Sequence, residues 1–149
     1  MIIEAGAPAQ RVTIRLKLAK NPSQRAALTA HVRPREDGQL RLSADIAEAV
    51  AAGGGDAGPL RESELTIIKT EIMGGAVTAK RHAKRGCTVE LVALSGSTAG
   101  GGLTSVPSIA FAVATSLAVL QGLGVEDLRA SPRGGYGWAL DSVEVAEVR

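Results

Sequence analysis

The segment Val106–Leu120 runs for fifteen positions without a charged residue. A stretch so apolar is driven out of water whatever the rest of the chain does. It is too short to cross a membrane, and Pro107, Ser108, Thr115, Ser116 and Gln121 interrupt or end it. The remaining solution is a helix from about Ser105 to Gln121, apolar on nearly every side and buried in the core or between subunits. Gly122 and Gly124 stop it. Such a helix needs neighbours that cover it, so the flanking segments must supply a sheet or other helices.

Strand and helix signals alternate along the chain. Arg11 to Ala19 alternates, with Val12, Ile14, Leu16 and Leu18 on one side and Arg11, Thr13, Arg15 and Lys17 on the other, which is a half-buried strand. Asn21-Pro22-Ser23-Gln24 has the form of a helix start, with Asn21 as cap and Pro22 in the first position, and predicts a helix to about Val32. Arg33 to Gly38 is a charged turn. Leu42, Ile46, Ala49 and Val50 recur at helical spacing until Gly53-Gly54-Gly55. Leu65 to Ile72 is expected as a strand, Val77 to Arg85 as a short basic helix and Thr88 to Leu94 as a strand. Val125 to Ala130 reads as a short strand and Trp138 to Val148 as a final one. The order predicts one α/β domain over 1–149: two layers, with helices packed on one face of a sheet.

Composition narrows the function. Hydrophobic residues make up 45% of 149 positions and aromatics 2%, namely Phe111, Tyr136 and Trp138, so the core is aliphatic. A net charge of +2 and this dearth of stacking rings argue against a nucleic-acid partner. The single Cys87 cannot form an internal disulfide, which fits a reducing compartment. One Cys with the distant His31 and His82 gives no metal site. Met1 to Gln10 lacks the basic-then-apolar form of a signal peptide, so a cytoplasmic location is expected.

Two segments could carry chemistry. On a strand, Lys69 would share a face with Leu65 and Ile67; desolvation there would favour its neutral form and let it act as a general base. The competing reading pairs it with Glu71 or leaves it in water. Ser131 precedes the glycine-rich Gly134-Gly135-Tyr136-Gly137, whose N–H groups could hold an oxyanion or simply form a turn. Ser95 to Gly102 precedes a helix start, which suits an anion but lacks the Lys of a P-loop. Gly102-Leu103-Thr104-Ser105 faintly resembles the phosphate loop of galactokinase-type kinases, though this chain is too short for one. The run Lys80, Arg81, His82, Lys84, Arg85 reads as a solvated helix face.

From Ser43 to Trp138 the chain resembles one repeat of the ring-opening cyclic amide hydrolases, the family of cyanuric acid hydrolase and barbiturase. The resemblance rests on an Ala-rich stretch, Ala44 to Val50, then Ile67-Ile68-Lys69-Thr70-Glu71, then Lys84-Arg85-Gly86, then Ala130-Ser131 before Gly134-Gly135. Pro132 and Arg133 separate this serine from its glycines, which follow it directly in much of the family. Three repeats make the family's site, each giving a lysine and a serine on a pseudo-threefold axis. The resemblance therefore implies a homotrimer with Lys69 and Ser131 as catalytic residues and Arg81, Gly134 and Gly135 binding substrate. It implies hydrolysis of a cyclic imide or ureide, with neither metal nor organic cofactor. A different expectation comes from Asp37-Gly38-Gln39-Leu40 followed by a helix and Gly53-Gly54-Gly55-Asp56, which is loosely similar to ACT-type small-molecule sensors. A third is an assembly subunit that docks through the Val106–Leu120 helix.

Overall fold

The computed structural model describes residues 8–19, 21–54, 61–97, 109–125 and 138–148. Strand β1 (Gln10–Leu18) turns into β2 (Asn21–Arg35), and β3 (Leu40–Ser43) follows. Helices α1 (Ile46–Ala52) and α2 (Glu62–Ala83) lead to β4 (Gly86–Ser97); helix α3 (Ile109–Gly122) and strand β5 (Trp138–Glu147) complete the order. The five strands form one mixed sheet in the order β3-β4-β2-β1-β5. Only the β3–β4 pair is parallel. Parallel neighbours need a crossover, and α1 with α2 supply it.

One face of the sheet is apolar. Val12, Ile14 and Leu16 of β1, Ala26, Leu28, Ala30 and Val32 of β2, and Val89, Leu91 and Leu94 of β4 are buried there. Helix α3 lies against β1 and β2, and α2 packs on α3. Every residue from Ala110 to Leu120 is buried, as an apolar helix with no polar side requires. Thr115 sits in this environment by donating its hydroxyl to the Phe111 carbonyl one turn back, 2.6 Å away. No described helix is long and apolar enough to cross a membrane. The mixed α/β character agrees with the sequence.

Leu42, expected in a helix with Ile46, Ala49 and Val50, lies instead in the strand β3, and two longer elements differ in kind. Asn21–Val32, expected as a helix, is most of β2. Its even positions from Ala26 to Val32 are buried, while Arg25 and Arg33 are exposed, a period of two that only a strand satisfies. Leu65–Ile72, expected as a strand, lies inside the 22-residue α2. The buried positions Ile68, Ile72, Gly75, Ala76 and Ala79 recur at helical spacing, and tertiary packing on α3 overrides the β-branched Thr66, Ile67 and Ile68. The basic helix expected over Val77–Arg85 is the end of this same helix, which stops at Lys84 in the left-handed conformation, φ 55°. Lys80, Arg81 and His82 thereby fall in the last turn, where cations favour the helix dipole. The strand expected over Val125–Ala130 lies outside the described residues beyond Val125.

Candidate functional site

Lys69 stands on α2, not on a strand, and its side chain is exposed. The expectation of a lysine on a dry strand face is therefore corrected: within one chain Lys69 is an exposed helix residue. The helix gives Lys69 a different setting. Glu62, Leu65, Thr66 and Lys69 follow one another at i, i+3, i+4 and i+7, so they form one stripe along the first two turns of α2.

That stripe faces the start of α1. Ala44, Asp45, Ile46 and Ala47 form the opposite wall of a cleft of about 330 Å³. Asp45 is the N-cap of α1, and its Oδ1 accepts the Glu48 N–H at 3.0 Å. That bond fixes the carboxylate at the rim and leaves its second oxygen for another donor. The Thr66 hydroxyl donates to the Glu62 carbonyl at 3.0 Å, so its oxygen remains an acceptor. The cleft thus offers one ammonium, two carboxylates and one hydroxyl oxygen over an apolar wall of Leu65, Ile46, Ala44 and Ala47. Its volume lies at the lower end of small-molecule sites, enough for a single ring.

A second cleft of about 280 Å³ shares Asp45 and adds His31, Ser43, Glu48, Glu90, Leu91 and Val92. Ser43, Glu90 and His31 lie in one row across β3, β4 and β2. His31 Nδ1 is 3.7 Å from Glu90 Oε1, and its Nε2 is buried without a hydrogen-bond partner among the described residues. Among the described residues no group of His, Cys, Asp and Glu is arranged to hold a metal ion.

The remaining expected site residues separate into two groups. Arg81 is exposed on α2 twelve residues beyond Lys69, a rise of about 18 Å along the helix, so within one chain it is not part of the cleft. Ser131, Gly134 and Gly135 lie outside the described residues, as does most of the Ser95–Gly102 loop. Sequence reasoning missed Asp45 and Glu62, which line the same cleft as Lys69. The capping pattern Asp45-x-x-Glu48 was a readable signal for the first; for the second, only the correct helical assignment of α2 reveals the stripe. Compared with protein families, with curated proteins and with solved structures, the chain has no match.

Proposed function

We propose that this chain binds a small planar cyclic imide or ureide in the cleft between α1 and α2. The observation that carries the reading is that Lys69 shares its cleft with two carboxylates and an apolar wall. A cyclic ureide alternates carbonyl oxygens with ring N–H groups. Lys69 suits the carbonyls, Asp45 and Glu62 suit the N–H groups, and the aliphatic wall suits the ring face.

Ring opening is the catalytic extension of this reading, and it draws on the resemblance to cyclic amide hydrolases. It needs Ser131 and a ring of three copies. Three ammonium groups gathered on an axis repel one another, which favours loss of a proton from one Lys69. That amine would take the Ser131 proton as the hydroxyl attacks a ring carbonyl. The C–N bond then breaks with the proton passing to the ring nitrogen, and water releases the acyl group. An exposed lysine at the rim of its own cleft is compatible with such a shared site.

The test titrates cyanuric or barbituric acid calorimetrically and follows ring absorbance over time. Saturable binding that Lys69→Ala weakens at least tenfold supports the binding reading. Loss of absorbance that requires both Lys69 and Ser131 supports ring opening, and the oligomer mass should then be three subunits or a multiple. Absence of heat with every ring tested contradicts the proposal.

A further inference from the structure

The side chains of the α1–α2 cleft accept hydrogen bonds at more places than they donate them. Among the described residues, four of its lining side chains are polar: Asp45, Glu62, Thr66 and Lys69. An ionised carboxylate only accepts, and an ammonium only donates. Asp45 Oδ1 already takes the Glu48 N–H at 3.0 Å, which leaves Oδ2 for one more donor. The Thr66 hydroxyl hydrogen goes to the Glu62 carbonyl at 3.0 Å, so towards a ligand this side chain only accepts. One donor group, Lys69, therefore stands against three acceptor groups.

From this imbalance we infer, resting on the ureide reading above, that the cleft selects an amino-substituted cyclic ureide, a ring in which amino groups replace part of the carbonyls. A trioxo ring brings three carbonyl oxygens to one ammonium. A carbonyl that faces Asp45, Glu62 or Thr66 gives up water and meets a second acceptor, which costs binding energy. Replacing that C=O by C–NH2 turns an acceptor into a donor at nearly the same place and keeps the ring planar and of the same size. The complement of this cleft is a ring with one carbonyl, two amino groups and one ring N–H, a cyclic acylguanidine. Its carbonyl takes Lys69, and its three N–H-bearing groups take Asp45, Glu62 and Thr66. Leu65, Ile46, Ala44 and Ala47 touch the ring face whichever substituents it carries, so the four polar side chains set the choice. Sites that would leave a polar group unpaired reject near-isosteres more strongly than sites that only fit them. Glu62 and Lys69 are exposed, so water softens the discrimination to roughly tenfold.

The experiment titrates the full chain calorimetrically at pH 6 with three triazines of one size: cyanuric acid, with three carbonyls, and its monoamino and diamino analogues, with two and one. Affinity should rise along that series, and the diamino ring should bind roughly tenfold more tightly than cyanuric acid. Glu62→Gln puts an amide, which both donates and accepts, in place of an acceptor-only group and should cut that ratio at least threefold. Glu64→Gln removes the same charge from the same turn of α2, outside the cleft lining, and should leave the ratio unchanged. Equal drops in the two variants would mean that charge alone orders the series, and would overturn the inference, as would an unchanged ratio in Glu62→Gln. Cyanuric acid binding as tightly as the diamino ring would also overturn it, the result expected if backbone N–H groups at the start of α1 hold the carbonyls; the ureide reading would then stand. If none of the three rings binds, the ureide reading falls and this selectivity falls with it.

Discussion

Gly75 of α2 sits directly against the backbone of Ala112 in α3: a Cβ at position 75 would run into the Ala112 carbonyl. This contact brings the two helices close enough for α2 to roof the apolar α3, and the roof is what lets α2 hold its Glu62–Lys69 stripe opposite α1. Glycine is present for the close approach and not for its backbone freedom.

Gly75→Ala therefore sets two effects against each other. Alanine gains about 1 kcal/mol of helix propensity over glycine. Forcing a methyl into a backbone contact costs about 1–3 kcal/mol, and helices that must part lose packing along their length as well. The expected outcome in urea unfolding is a net loss of stability of about 1–2 kcal/mol. Gly74, the neighbour with nothing near its Cβ, should instead accept alanine with a small gain.

Asp45 has a structural and a binding role that substitution can separate. Asp45→Asn keeps a side-chain oxygen for the Glu48 N–H and should leave stability within a few tenths of a kcal/mol. Asp45→Ala removes the cap and should cost about 1 kcal/mol. Both remove the carboxylate from the cleft, so both should weaken ureide binding, by threefold or more in calorimetry.

Asp37 gives the fold an acid-sensitive turn between β2 and β3. Its hydrogen bond from Arg35, with a second from the Gln39 N–H, lowers its pKa to about 2. A carboxylate depressed in the folded state adds stability above its ordinary pKa, and that stability is lost as pH falls towards 2. Thermal melts from pH 5 to pH 2 should fall more steeply for the native chain than for Asp37→Asn. Both groups face solvent, so the difference is small and shrinks in salt.

Cys87 is fully buried in β4, and burial pushes its thiol up to about 11. Thiolate is the reactive form, so the native protein should resist a thiol reagent at pH 8. Adding denaturant should release one rapidly reacting thiol per chain.

The sequence errors share a cause. β1, β4, α3 and β5 were legible because each spans enough residues to show its own period. Asn21-Pro22-Ser23-Gln24 suggested a helix through its capping pattern, but a cap signal covers four residues. The alternation of Ala26, Leu28, Ala30 and Val32 beyond it was the stronger evidence. Leu65 to Ile72 suggested a strand through its β-branched residues; extending the window to Ala79 exposes the helical recurrence of Ile68, Ile72, Ala76 and Ala79. Lys69 was found as a residue of interest, but on the wrong element. Asp45 and Glu62, which line the cleft with it, come from another helix start and from the preceding turns of α2, and no local window joins them.

The most direct test of the central claim is a nitrogen-15 chemical-shift map of the chain titrated with cyanuric acid. The account predicts saturable shifts confined to amides of Ala44–Ala47 and Glu62–Lys69, lost in Lys69→Ala. Shifts centred elsewhere, or none up to millimolar ligand, would contradict it.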